Sequence, residues 1–243
     1  MNTIIPGINS CLELLENSYN TFIEVNILKD NNNPRINLIK SICLKKEILI
    51  NEIDSKSLNQ ISADNQGVVS ILKEKTFLNQ DTVIKKFEDS DNSLLLILDN
   101  ILDVRNLGSI LRTTECFNVD SIILPKNRSA ALNPTVHRTS MGASYIKDIT
   151  YVNNLLSFIT ILQKNGYWVV SADCNDSSTS LYEFDFPAKT ALILGSEDKG
   201  IQKKVLEASD FIVHIPMLGN FDSVNVSISS GIFLSHYRRS FKS

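Results

Sequence analysis

The sequence has no pair of cysteines at CxxC spacing and no histidine beside a cysteine at ligand spacing. Cys11, Cys43, Cys116 and Cys174 are scattered through the 243 residues, and His137, His214 and His236 share no motif. Neither a zinc site nor a disulfide framework is signalled. The cysteines are expected to be reduced and mostly buried, and the histidines to be structural or surface residues rather than a catalytic set. Long apolar runs are also missing. The longest purely aliphatic one, Leu94 to Leu98, falls far short of the ~18 residues that suggest a membrane span. The first residues have no basic n-region and carry Glu13 and Glu16 inside their only apolar stretch, which argues against a signal or transit peptide. A soluble cytoplasmic protein is expected. Excess positive charge is lacking too. With 24 Lys and Arg against 27 Asp and Glu, the net charge of -3 gives no global field for a polyanion and leaves room only for a local patch.

What is present is the composition of a globular protein, 43% hydrophobic and 21% charged, long enough for one or two domains. Helix-spaced Ile8, Cys11, Leu12 and Leu15 predict a helix over 7–18, and alternating Ile23, Val25 and Ile27 predict a strand over 22–28. An Asn-rich turn then leads to a helix near 35–44, a strand at 47–53, a short helix and a strand at 67–72. This is a compact α/β module over 1–75. Residues 76–92 are polar and charged and read as a linker. Beyond them, apolar runs at 94–98, 121–124, 167–172, 190–194 and 211–215 alternate with helix-like stretches, which predicts a mostly parallel sheet covered by helices over 93–243. Ligands in such sheets bind past the carboxyl ends of the strands, so the residues after each run are the candidates.

After the first run, LDNILDVRNLGSILRTTECF places Asn106, Gly108 and Arg112 at the opening of a helix whose apolar face holds Leu107, Ile110, Leu111 and Phe117. Asn106 is a good N-cap, and taken alone the segment reads as a capped helix with an exposed Arg. An Arg near free helix amides is also placed to clamp a phosphate. After the 190–194 strand comes GSEDKG, a Gly-framed turn holding Glu197, which alone signals little beyond an ordinary loop. After the 211–215 strand comes IPMLGNFDSVNVSISSGIFLSH, whose Ser223, Asn225, Ser227, Ser229 and Ser230 read in part as a helix cap and a close-packed face. No GxGxxG follows a predicted strand, which speaks against a nucleotide-binding oxidoreductase.

These three segments, in this order, resemble the three motifs of the SpoU/TrmH family within the SPOUT class of RNA methyltransferases. The resemblance covers residues 94–240. KNRSAALNPTVHRTSMGASY (126–145) is similar to the segment typical of the RlmB-type ribosomal RNA enzymes. IPGINSCLELLE, FIEVNILK and NQGVVS in the first module resemble their substrate-binding domain, which has the fold of a small RNA-binding ribosomal protein. The resemblance implies methyl transfer from S-adenosylmethionine to a ribose 2′-hydroxyl, on a guanosine in the peptidyl-transferase region of 23S ribosomal RNA. It also implies a C-terminal trefoil knot, a homodimer that completes the site, and no metal. Carried over to this chain, it makes Asn106, Arg112, Glu197, Ser223 and Asn225 catalytic-site residues, and Gly195, Ile215 and Val224 cofactor contacts made largely through backbone. Arg112 matches the Arg proposed to activate the hydroxyl. Because Arg stays protonated, its expected role is instead to position the target phosphate and stabilise a developing alkoxide.

Two positions depart from the family pattern: Val104 where Pro is frequent, and Asp198 where Gly is frequent. Asp tolerates positive φ, so Asp198 is expected to hold the turn while its carboxylate alters cofactor affinity. Between Asp120 and Asp148 there is no acidic residue, whereas Lys126, Arg128, Arg138 and Lys147 all fall there. Such a run is often only a solvated face. Its place beside the first motif makes Lys126, Arg128 and Arg138 candidate RNA contacts. The 1–75 module, with 8 basic and 9 acidic residues, owes its expected RNA role to the resemblance alone. A transfer-RNA ribose methyltransferase and a non-catalytic ribosomal-RNA assembly factor on the same fold are the alternatives.

Overall fold

In a computed structural model that describes residues 2–241, the chain divides into two units. One holds the chain up to Thr76 together with Ala131–Ile146, and the other holds Phe77–Ala130 and the chain from Lys147 onward. The first unit begins with β1 (Thr3–Pro6), α1 (Ile8–Asn17), β2 (Phe22–Leu28), α2 (Pro34–Lys45), β3 (Leu49–Ile53), α3 (Ser55–Ile61) and β4 (Val68–Leu72). The second begins with α4 (Gln80–Lys86), β5 (Ser93–Asp99), α5 (Val104–Cys116) and β6 (Ser121–Pro125). The chain then supplies α6 (Pro134–Thr139) and α7 (Ala143–Ile146) to the first unit. It finishes the second with β7 (Ile149–Val152), α8 (Leu155–Lys164), β8 (Trp168–Ala172), β9 (Thr179–Ser180), β10 (Lys189–Gly195), α9 (Lys203–Glu207), β11 (Phe211–His214) and α10 (Val226–Ser240).

The first unit is built on a four-stranded sheet in the order β1-β4-β2-β3, antiparallel except for the β2/β3 pair. The alternation predicted for 22–28 puts Val25 and Ile27 on the face covered by α1 and α2, where they meet Ile8, Cys11, Leu15, Ile36, Ile39 and Cys43. Burial pushes the Cys11 thiol up to about 12 and that of Cys43 to about 11, so both behave as apolar core residues. Cys116 and Cys174 are exposed, against the expectation that the cysteines are mostly buried. The inserted segment is held by polar contacts. His137 Nδ1 meets Ser144 Oγ at 2.7 Å, Ser140 Oγ donates to Ser144 Oγ at 2.9 Å, and Arg138 pairs with Asp64 at 2.9 Å.

The second unit carries a seven-stranded, wholly parallel sheet in the order β7-β6-β5-β10-β8-β11-β9. The LLLIL run forms its centre and is buried on both faces, as parallel strands are. The order reverses beside β5, because the chain passes from β5 through β6 to β7 on one side, crosses to β8 on the other, and then places β10 between β8 and β5. That reversal is where such sheets open a crevice at their carboxyl ends. The stretch 76–92, read as a linker, contains α4, whose Val83 and Ile84 are buried in this unit's core with Leu95, Ile123 and Phe158. Leu78 and Phe87 pack against the same core, so four apolar residues anchor the segment despite its charged surroundings. Among the described residues, no helix is long and apolar enough to cross a membrane.

Candidate functional site

The site assembles around the carboxyl ends of β5, β10 and β11. Helix α5 is capped by Asp103, whose carboxylate accepts from the N–H groups of Arg105 and Asn106 at 2.9 and 2.7 Å. Asn106 is therefore not the cap the sequence suggested. It sits in the first turn, and its Oδ1 accepts from Asn225 Nδ2 at 3.1 Å. Asn225, not Ser223, is the N-cap of α10: its Oδ1 accepts from Ser227 N at 3.0 Å. Its Nδ2 also donates to Glu197 Oε1, and the same oxygen accepts from Val226 N–H at 3.2 Å. A carboxylate at a helix start is favoured by the helix dipole. Asn106, Glu197 and Asn225 thus tie α5, the loop after β10 and the start of α10 into one polar knot of contacts.

Gly195 ends β10 opposite Asp99 of β5. A Cβ at Gly195 would lie 2.3 Å from Gly200 C and 2.4 Å from Ile201 N, because the loop folds back on itself and closes with Gly200 N–H donating to Ser196 O at 2.9 Å. Only glycine fits there. The loop's positive φ falls on Gly200, at 59°, and not on Asp198, so Asp198 has no special backbone to hold. At the root of the loop, the fully buried Asp99 carboxylate accepts from Gln202 N at 3.1 Å and from Gln202 Nε2 at 2.8 and 3.0 Å.

A cavity of about 330 Å³ opens between this loop, the ends of β8 and β11, and the start of α10. Gly195, Glu197, Ile215, Ser223 and Val224 all line it. A smaller hollow of about 130 Å³ lies between the ends of β5 and β10 and is lined by Asn106 and Asp198, with Ser196, Glu197 and Val226 common to both. The larger cavity is of small-ligand size. Its carboxylates are Asp173, Glu197 and Asp222, and no Lys or Arg lines it. Burial pushes the Asp173 carboxyl up, against the pull of the Cys174 and Ile201 N–H groups. An anionic wall beside apolar Leu194, Val213 and Phe233 suits a ligand that joins a positive charge to an aromatic base. S-adenosylmethionine is such a ligand, and the residues fit it. Among the described residues, no group of three His, Cys, Asp or Glu could hold a metal ion.

The remaining predicted residues lie elsewhere. Arg112 is exposed on α5, lines neither hollow and makes no hydrogen bond or ion pair among the described residues. Lys126 and Arg128 are exposed after β6, and Arg128 donates to Gln202 Oε1. Arg138 belongs to the first unit, paired with Asp64, with its Nε buried and unpartnered. Sequence reasoning missed Asp173 and Cys174 at the end of β8, although they follow an apolar run as the others do. It also missed His214, Met217 and Phe233 in the cavity wall, and Asp99 and Gln202 beneath the loop. His214 carried no motif; its Nδ1 meets Ser178 Oγ at 2.9 Å.

Comparison with known proteins identifies the family. Residues 4–78 match a domain described as RNA 2′-O ribose methyltransferase substrate binding. A Borreliella burgdorferi protein named as an uncharacterized tRNA/rRNA methyltransferase is 36% identical over 225 residues, covering 88% of this chain and 98% of the relative. The 23S rRNA (guanosine-2′-O-)-methyltransferase RlmB of Neisseria meningitidis is 34% identical, covering 90% of this chain and 88% of its own. The crystal structure of an AdoMet-bound rRNA methyltransferase from Sinorhizobium meliloti superposes with a TM-score of 0.78 at 21% identity, covering all of this chain and 88% of that one. With residues 93–235 matching the SpoU rRNA Methylase family, over half of its length, the chain belongs to that family.

Proposed function

We propose that the protein methylates the 2′-hydroxyl of a guanosine ribose in 23S ribosomal RNA, in the peptidyl-transferase region, with S-adenosylmethionine as donor. The observation that carries the reading is the interlocked Asn106, Glu197 and Asn225 beside a cavity lined by Gly195, Ile215 and Val224, in a family member whose relatives include named 23S guanosine 2′-O-methyltransferases.

When bound, the donor supplies an electrophilic methyl group on a sulfonium. The chain's own residues do the rest. The loop from Gly195 to Ile201, folded back on itself with Gly195 at its root, forms one wall of the cavity, and the carboxylates of Asp173, Glu197 and Asp222 offset the donor's positive charge. Ser223 and Val224 close the cavity from the α10 side. Arg112 holds the phosphate next to the target ribose and stabilises negative charge developing on the 2′-oxygen; being always protonated, it does not take the hydroxyl proton itself, which passes to solvent water as the oxygen gains the methyl group. Holding the acceptor in line with the methyl group contributes as much as any charge. Lys126 and Arg128 contact the RNA backbone, the first unit binds RNA structure around the target, and the protein acts in the cytoplasm with its substrate.

The reading includes a trefoil knot in the C-terminal chain, on family grounds, and a homodimer. What supports the dimer is that Arg112 lines neither hollow of its own chain. Large apolar side chains also stand exposed in the segments that form the site, among them Leu102, Leu218, Phe221 and Ile228, with Leu218 100% and Phe221 84% exposed. A second copy covering these residues explains both. The test is to incubate the protein with methyl-labelled donor and unmethylated 23S ribosomal RNA, digest, and identify the labelled nucleoside by mass spectrometry. Label in 2′-O-methylguanosine is the expected result. Label only in transfer RNA offered in parallel changes the target, and no label with no donor binding overturns the reaction.

A further inference from the structure

We propose that Arg128, Lys203 and Lys204 form a phosphate-binding groove for the RNA backbone, in which Gln202 is the positioning residue that holds Arg128. The inference deepens the proposed function, on which the identity of the RNA rests.

The groove, about 470 Å³, runs between the segment after β6, the start of α8 and the start of α9, with Asn153, Leu155 and Val205 in its wall. Three cations line it and no Asp or Glu does. The acid nearest in contact is Glu207, which reaches Lys203 across 3.9 Å, and Lys203 is 90% exposed. So exposed and long a pair holds its lysine weakly and gives it up readily to a phosphate.

Arg128 is held differently. The buried Asp99 carboxylate takes both Gln202 N–H and Gln202 Nε2, so the amide nitrogen faces inward and the amide oxygen must face out. That oxygen accepts from Arg128 Nη1. One of the five N–H groups of the guanidinium is thereby fixed by neutral protein atoms, and the rest remain for an anion. A cation anchored in this way loses less entropy on binding than a free one.

Position also favours the RNA backbone. The sheet is parallel throughout, so the groove at the ends of β6 and β7 lies on the same edge as Gly195 at the end of β10. At about 4.8 Å between neighbouring strands, the separation along that edge is ~10–14 Å. A short stretch of RNA running along the edge therefore meets the cations while its target ribose reaches the cavity.

The test measures equilibrium binding of a 23S ribosomal RNA fragment across a salt series for the full protein, Lys203→Ala/Lys204→Ala and Gln202→Ala, with donor affinity and methyl transfer measured alongside. The double variant is expected to weaken RNA binding about tenfold or more and to flatten the salt dependence by about 0.7 per lost contact, ~1.4 in all, with donor affinity unchanged. Gln202→Ala, which changes no charge, is expected to raise the RNA Kd several-fold with the salt slope nearly intact. A double variant with the full protein's RNA affinity and slope overturns the groove, and a Gln202→Ala protein that binds RNA normally overturns its positioning role. If the unaltered protein binds this RNA through Lys203 and Lys204 yet never methylates it, the groove stands and the proposed reaction falls.

Discussion

Two parts of the site are built in opposite ways. Asn106, Glu197 and Asn225 satisfy one another and the start of α10, whereas Arg112, on the same helix as Asn106, has no partner among the described residues. A side chain whose bonds are internal shapes the site. One left open on the surface is free to meet a partner from outside the chain. In the proposed reading the contrast separates residues that build the cavity from the residue that meets the substrate, and each part predicts a different failure.

The largest effect is expected at Arg112. Arg112→Ala should lower kcat by about 10²–10³, the usual cost of removing a donor to a developing oxyanion, while thermal stability and donor affinity stay unchanged. Arg112→Lys should recover only part of it, since the planar fork is lost; full turnover in this variant would place Arg112 outside the chemistry. Gly195→Ala tests the opposite side. Its Cβ would meet backbone at 2.3 Å, so the loop must shift, and a cost of about 1–3 kcal/mol should appear both as a lower Tm and as a 10–100-fold weaker donor affinity by calorimetry.

Asn225→Ala removes the α10 cap and both side-chain contacts. About 1 kcal/mol of stability, or a few degrees of Tm, should be lost, with donor affinity falling in step. If Tm holds while turnover collapses, Asn225 belongs with Arg112. The smallest effect at neutral pH is expected at His137 in the first unit. Burial, aided by the Lys75 charge, lowers it to about 4 from 6.5. The unfolded chain therefore takes up a proton that the folded one refuses. Its contribution is complete above pH 6.5, is lost progressively as pH falls toward about 4, and changes no further below that. A denaturant series over that range should show this slope in the unaltered protein and not in His137→Gln, with donor affinity at pH 7 equal in both.

The regular elements were legible because periodicity records burial. The strand at 22–28, the helix spacing at 7–18 and LLLIL each landed where they were expected, except that a register shift between Phe22 and Glu24 leaves Ile23 exposed and off the face of Val25 and Ile27. The short edge strands β1, β7 and β9 were not, since two to four residues carry too little pattern. Nor was the passage of Ala131–Ile146 into the first unit. Its interior polar side chains, His137, Ser140 and Ser144, pair with one another, and a buried polar cluster looks like a surface loop in sequence. The three motif segments were found by resemblance, but their division of labour was not. That Asp103 and Asn225 would be the caps, leaving Asn106 free to bridge, depends on which of several good capping residues the packing selects.

Mixing subunits shows whether Arg112 works on a cavity other than the one its own chain builds. Arg112→Ala and Gly195→Ala proteins, each nearly inactive alone when the donor is held well below the Kd of the Gly195→Ala cavity, should on subunit exchange regain about a quarter of normal methyl transfer, because half the dimers are mixed and each mixed dimer holds one intact pairing of Arg112 with a cavity. Mixed dimers that form and stay inactive would contradict it.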